Sequence, residues 1–292
     1  MKKKTNWTES LTHGVFLSLG LITIGCVLVI SVYLVVSGLP AICRIGLFRF
    51  LFSPEWNASA AQPEFGILPF ILTSIYGTLG AIVLGLPVGF FTAVYLAKMA
   101  PGKVKTFMEQ AISMLAGIPS VVCGLVGMMV LVPGIRKIFG VADGAGLLAA
   151  ILVLAVMILP SIIKMSITAL EAVPREYEDA SLALGATPEE TYFRISVPAA
   201  RSGLAAAAVL GVGRAIGEAM AVMMVAGNVA NMPDSLFQSV RFLTTAVASE
   251  MAYSAPGSLH RQALFSIALV LFVFIMLINA LLNLCLKGKK TL

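Results

Sequence analysis

Five stretches of this chain, residues 14–42, 66–97, 111–135, 144–163 and 262–286, each run twenty residues or more without a charged side chain. A helix rises about 1.5 Å per residue, so about 20 residues cross a hydrocarbon core about 30 Å thick. A sixth stretch, 202–227, has the right length and apolarity but contains Arg214 and Glu218. Backbone groups in lipid must pair within a helix or a closed barrel. The alternating apolar and polar pattern of barrel strands is absent, so the expected fold is all-α, a polytopic bundle of six membrane helices. With their ends trimmed, the spans are expected at about 14–38, 68–97, 111–133, 145–170, 203–227 and 263–286, after a short N-terminal segment, 1–13.

Composition closes off the other classes. The chain is 59% hydrophobic and 12% charged, with mean hydropathy +0.98. Soluble domains hold about 45–50% apolar and about 25% charged residues. A soluble enzyme, a disordered chain and a coiled coil are excluded. The first run follows Met1-Lys2-Lys3-Lys4, like the charged start of a signal peptide. It is longer than such a peptide's apolar region and no A-x-A site follows, so it is expected to stay as an anchor.

The net charge of +6 is read as topology charge. With both termini inside, thirteen of the twenty lysines and arginines are cytoplasmic: Lys2, Lys3, Lys4, Lys98, Lys103, Lys105, Lys164, Arg175, Arg194, Arg201, Lys287, Lys289 and Lys290. Arg44, Arg49, Arg136, Lys137, Arg241 and Arg261 fall outside, and Arg214 lies in the membrane. The four cysteines, Cys26, Cys43, Cys123 and Cys285, have no metal-ligand or disulfide spacing and are read as single buried thiols.

The charge-dense loop 171–201 reads as two short helices. Pro174 is placed at the first helical position of one, Glu176, Glu178 and Asp179 suit its dipole, and Gly185 stands where a C′ glycine ends it. The next begins at Thr187-Pro188-Glu189-Glu190, with Thr187 as N-cap and Glu190 completing a capping box. Tyr177, Ala180, Ser181 and Leu184 share one face of the first helix by spacing. That face suits a partner's groove or an ordinary solvated connector. Asp179-Ala180-Ser181, three residues, Gly185, nine residues and Ile195-Ser196-Val197-Pro198 resemble the EAA loop of ABC importer permeases. Asp replaces Glu, Ser replaces the second Ala, and Val replaces Leu. The resemblance implies that Glu178, Asp179, Ala180, Ser181 and Gly185 belong to a coupling element that docks on a cytoplasmic ATPase.

No phosphate-cradling G-x-x-x-x-G-K-[ST] occurs, nor HExxH or GxSxG, and His13 and His260 have no metal-ligand partner at suitable spacing. The chain is therefore expected to be no enzyme and to hold no metal or cofactor, with ATP bound by a separate subunit.

A charge at the centre of a membrane helix costs about 2.5–3.5 kcal/mol on insertion scales. Arg214 and Glu218 are four residues apart, so on a continuous helix they share a face and can pair. They read as a structural ion pair or as an anion path in which Arg214 is the cation, its guanidinium suiting an anion's oxygens, and Glu218 orients or neutralises it at rest; the two are compatible if the pair opens during transport. Gly211, Gly213 and Gly217 offer close approach to another helix. Gly213-Arg214-Ala215-Ile216-Gly217-Glu218-Ala219-Met220-Ala221-Val222 resembles the fifth helix of PstC-like permeases of Pst-type phosphate importers, with Ala219 where Thr is usual. Residues 65–71, 115–122 and 255–261 agree, as does Asn228 after Ala226-Gly227. The resemblance implies a type I ABC importer permease that moves phosphate by alternating access, with Arg214 and Glu218 on its path. It also implies a PstA-like second permease, two PstB-like ATPases and a PstS-like external phosphate-binding protein, in the plasma membrane. Another oxyanion (sulfate, molybdate, phosphonate), a secondary transporter, and a non-transporting scaffold or sensor stay open. So does the part played by the external stretch 228–261. The loop 44–64, with Trp56, reads as interfacial or as a linker.

Overall fold

The computed structural model describes residues 7–58 and 60–287. Lys2, Lys3, Lys4, Lys289 and Lys290, on which the inside count leans, lie outside them, and so does the side chain of Cys285.

The chain begins with α1 (Trp7–Ile45) and α2 (Leu47–Phe52). A two-stranded hairpin follows, β1 (Trp56–Asn57) antiparallel to β2 (Glu64–Phe65). Next come α3 (Leu68–Val94), extended by a π-helical turn at Tyr95–Met99, and α4 (Gly102–Gly117). A broken helix follows: α5 (Ser120–Val126), a π turn at Gly127–Leu131 and α6 (Val132–Phe139). The rest is α7 (Leu147–Glu171), α8 (Arg175–Ala183), α9 (Pro188–Thr191), a π turn at Tyr192–Ser196, α10 (Val197–Ala199), α11 (Arg201–Gly217), α12 (Met220–Val225), α13 (Leu243–Glu250) and α14 (Leu259–Lys287).

Among the described residues, five helical stretches are long and apolar enough to cross a membrane: Leu11–Ile45, Leu68–Met99, Ser120–Phe139, Leu147–Glu171 and Leu259–Leu281. A sixth arises if Pro188–Ala199 and Arg201–Gly217, bent by 72°, are taken together. The third apolar span starts at Ser120 rather than near residue 111. Ile118 and Pro119 are extended, and a proline disfavours the helical region for the residue before it, so α4 ends there as a separate helix.

Helix α7 is the axis of the bundle. Two-thirds of its most apolar window is buried, 67%, against 0% for α1. Glycines explain how closely α3 lies on it. A Cβ at Gly80, Gly85 or Gly89 would stand 2.7–2.8 Å from a side-chain carbon of Ile151, Ile158 or Ile162. Both series ascend together, so the two helices run parallel. Such small residues admit the neighbouring backbone where lipid supplies no hydrophobic drive between helices. On another face of α7, Gly211 meets Ile162 and Gly203 meets Ala169, so α11 runs antiparallel to it. Helix α1 packs on α14 near its C-terminal end, where Ser266 Oγ donates to Gly38 O at 2.5 Å.

Candidate functional site

Arg214 projects from α11 at the depth of Ser161 on α7. Its Nη1 donates to Ser161 Oγ at 2.7 Å. Ser161 is fourteen residues from one end of α7 and ten from the other, roughly 21 Å and 15 Å along the axis. The guanidinium therefore sits near mid-span and is half-buried. Among the described residues, no carboxylate lies within ion-pairing distance of it.

The pairing with Glu218 expected from four-residue spacing does not form. That spacing aligns two side chains only while the helix continues, and α11 ends at Gly217. Glu218 is extended (φ −74°, ψ 126°), and the chain re-enters a helix at Met220. Glu218 instead joins pieces of the break. Its Oε1 accepts from Ala221 N–H at 3.1 Å, in the first turn of α12, and its main-chain carbonyl accepts from Thr244 Oγ1 at 2.8 Å. Of the three glycines read as packing surfaces, only Gly211 touches a neighbouring helix. Gly213 and Gly217 face open space beside Arg214.

The loop helix α8 starts at Arg175, with Pro174 as N-cap, one residue before the expected place. Its end is a Schellman motif. Gly185 N–H donates to Leu182 O at 2.9 Å and Ala186 N–H to Ser181 O at 3.3 Å, with Gly185 at φ +90°. The capping box of α9 is present: Glu190 N–H donates to Thr187 Oγ1, and Thr187 N–H to Glu190 Oε2, each at 3.3 Å.

Helix α8 divides into two faces. Tyr177, Asp179, Ala180 and Leu184 are exposed, Leu184 at 90%. Ser181, grouped with them by spacing, turns inward, its Oγ 2.9 Å from Thr191 Oγ1. Glu178 also turns inward. Its Oε1 accepts from Lys98 Nζ at 2.5 Å and from Ser196 Oγ at 2.7 Å. Both donors sit in π turns, Tyr95–Met99 and Tyr192–Ser196. The Lys98 and Glu178 side chains are only 10% and 17% exposed. Burial works against the Glu178 charge, but the hydrogen bonds from Lys98 and Ser196, with the charges of Lys98 and Arg175, prevail and hold its carboxyl below the ordinary value. A second tie joins Lys105 Nζ of α4 to Glu171 Oε1 at 2.5 Å, and that hydrogen bond raises the Lys105 pKa.

At the opposite end of the bundle, Glu250 gathers three donors. Trp56 Nε1 donates to its two oxygens at 3.2 and 3.3 Å, His260 Nε2 lies 2.7 Å from Oε2, and Arg241 pairs with Oε1. Arg241 also donates through Nε and Nη2 to Asn228 O at 2.8 and 2.6 Å. Gly227 (φ +83°) and Asn228 (φ +58°) reverse the chain there, and both residue types tolerate that left-handed backbone. The stretch 228–261 thus folds back on the bundle: Leu243, Thr244, Thr245 and Ala246 of α13 are buried, and Leu243 N–H donates to Ser74 Oγ of α3 at 3.0 Å.

Sequence reasoning missed Ser161, Lys98, Ser196 and Glu250, because polar residues isolated in separate elements carry no pattern along the chain. Lys164, counted among the cytoplasmic charges, lies within α7, inside the expected fourth span and seven residues before the end of the helix. Cys26 and Cys43 are exposed and Cys123 is half-buried, because the helices that carry them turn these faces away from the protein core. A cavity of about 830 Å³ between α3, α5, α6 and α7 is lined only by apolar residues, among them Val88, Val126 and Val156, and offers an anion nothing.

Comparison with known proteins gives a consistent picture. The family described as "Binding-protein-dependent transport system inner membrane component" matches residues 85–288. The chain is 39% identical over 267 residues to the probable ABC transporter permease protein YqgH of Bacillus subtilis, covering 89% of this chain and 86% of that one. It is 34% identical over 290 residues to the phosphate transport system permease protein PstC of Haemophilus influenzae, covering 91% and 89%. Among solved structures, the inward-facing MetNI methionine ABC transporter matches with TM-score 0.56 at 23% identity, over 76% of this chain and 94% of that one. An amino acid ABC transporter matches with TM-score 0.55 at 20% identity, over 76% and 92%. The fold is that of a type I ABC importer permease, a multi-pass membrane protein.

Proposed function

Because the chain belongs to the binding-protein-dependent transport system inner membrane component family, we propose that it is the PstC-like permease subunit of an ATP-driven importer carrying inorganic phosphate into the cytoplasm. The observation that supports this most is the Arg214 guanidinium. It stands at mid-span with a serine hydroxyl for a partner and, among the described residues, no carboxylate to neutralise it. A cation left in that state attracts an anion, and its planar fork suits a tetrahedral oxyanion. Identity to PstC proteins named for phosphate transport favours phosphate among the oxyanions.

In this reading both termini are cytoplasmic and α8 faces the cytoplasm. Tyr177, Asp179, Ala180 and Leu184 offer the exposed face that meets an ATPase subunit, while Glu178, Ser181 and Gly185 hold the helix in shape behind it. ATP is bound and hydrolysed on two separate ATPase subunits, and this chain carries no cofactor. A second, related permease completes the path, and an external binding protein delivers phosphate. ATP-driven closure of the ATPases moves α8, and the bundle alternates between outward and inward access. Glu218, bonded across the α11–α12 break, sits where such a movement would bend the fifth span.

The test is uptake of labelled phosphate into proteoliposomes containing this chain and the three partner proteins. ATP-dependent uptake that excess sulfate or molybdate leaves unchanged is expected. Uptake without ATP, or uptake that those anions abolish, would overturn the mechanism or the substrate respectively.

A further inference from the structure

The membrane segment of α7 carries a cation that the proposed path has not used. Lys164 lies three residues beyond Ser161, on the same side of the helix, and is exposed. Among the described residues its ammonium makes no ion pair or hydrogen bond. Thr168, one turn further, is exposed on the same side and donates its hydroxyl to Lys164 O at 3.0 Å.

The packing of α7 on α11 sets the height of Lys164 relative to Arg214. Gly211 lies against Ile162 and Gly203 against Ala169 in antiparallel register. Continued by one turn, that register brings Arg214 level with Leu159. Lys164 is then five residues further along α7, roughly 8 Å down the axis. Side chains on an α-helix lean toward its N-terminus. Because the two helices are antiparallel, Arg214 leans down toward the level of Lys164, and Lys164 leans up toward the level of Arg214. Ser161 lies between them, already bonded to Arg214. To place its ammonium at the nearer end of α7 instead, Lys164 would have to run against this lean over about 10 Å.

We propose that Lys164 is a second substrate-contacting cation of the oxyanion path. It forms with Arg214 and Ser161 a binding step in which an oxyanion bridges the two charges. Arg214 supplies a planar pair of donors, Lys164 a compact charge with freely turning donors, and the Ser161 hydroxyl a further donor. Two cations balance a doubly charged oxyanion better than Arg214 alone. Gly213 and Gly217, with open space where a side chain would stand, leave the approach to Arg214 clear. The inference rests on the oxyanion-importer reading but not on phosphate in particular.

The experiment uses the assembled importer in proteoliposomes and compares uptake of phosphate, sulfate and molybdate, each supplied as the labelled anion. Lys164→Met is expected to lower uptake of the transported anion about tenfold or more, with the complex still co-purifying intact. Lys164→Arg should keep most of it. Lys164→Cys, in a chain whose native cysteines are replaced, should regain uptake when alkylated with 2-bromoethylamine, which restores an amine, and not when alkylated with neutral iodoacetamide. Uptake by Lys164→Met at the unmodified rate, or equal rescue by both reagents, would overturn the role of Lys164. An unmodified importer that moves sulfate or molybdate in place of phosphate would remove the phosphate reading, and the same variants would then decide Lys164 with that anion. Flux of none of the three would overturn both.

Discussion

Arg214 and Glu178 are both charged residues on helices of this chain, and they are treated in opposite ways. Glu178 sits on the short loop helix α8, yet it is surrounded: Lys98 and Ser196 both donate to one of its oxygens, and its side chain is 17% exposed. Arg214 sits at mid-span, where a bare charge is most expensive, and among the described residues has a serine hydroxyl and no carboxylate. Glu250 at the other end of the bundle follows the Glu178 pattern, with Trp56, Arg241 and His260 around it. Charges that hold elements together are satisfied within the chain. The charge proposed to meet a substrate is left for the substrate to satisfy.

The largest effect expected is at Arg214. Arg214→Gln keeps a hydrogen-bond donor for Ser161 and removes the charge. Phosphate uptake by the reconstituted importer should fall by about a hundredfold or more, while the complex still assembles. Uptake at the normal rate would erase the distinction drawn between the two sites.

Glu178→Gln comes next. It removes a half-buried charge from between Lys98 and Ser196, and should loosen α8 by about 2 kcal/mol. The readout is the distance between spin labels at Ala183 and Lys103, which should broaden. An unchanged distribution would mean that the tie to the π turns does not hold α8.

The same labels test the pH dependence. The folded-state carboxyl of Glu178 lies below its ordinary value of 4.5. Its contribution is therefore complete above that pH and lost as the pH falls through the lower folded value. The distribution should be flat from neutrality down to about pH 5 and broaden only in more acid solution. Broadening between pH 6 and 8 would assign the tie to another group.

Gly185→Leu should have the smallest effect. With φ +90° and open space around it, the cost is backbone strain rather than a clash, about 1–2 kcal/mol. Reduced co-purification of the ATPase is the measure. Gly185→Asn, which tolerates this backbone better, should lose less. Equal losses would point away from the turn geometry.

Much of this chain is written in local chemistry. The long uncharged runs specify membrane helices because lipid leaves the backbone no other partner. The Gly185 stop and the Thr187–Glu190 box are legible because capping involves groups within a few residues of each other. The sequence also singled out Arg214 and Glu218, since charges in an apolar run stand out at once. Four-residue spacing does not bring them together, because α11 ends at Gly217, before Glu218, at a break that Thr244, twenty-six residues on, helps to hold.

What the tertiary structure alone decided is which polar groups meet. Lys98 and Glu178 are eighty residues apart in sequence, Ser161 and Arg214 fifty-three, and Trp56 and Glu250 one hundred and ninety-four. Hydropathy says that a segment is buried in lipid or protein, but not which face goes to which. That is settled by the glycines that let α3 and α11 lie against α7, and by the register this close packing imposes. The sequence by itself determined the material and the punctuation of the bundle. The register decided which charges are neutralised within it and which are left open, because pairing depends on distances across helices that no local pattern encodes.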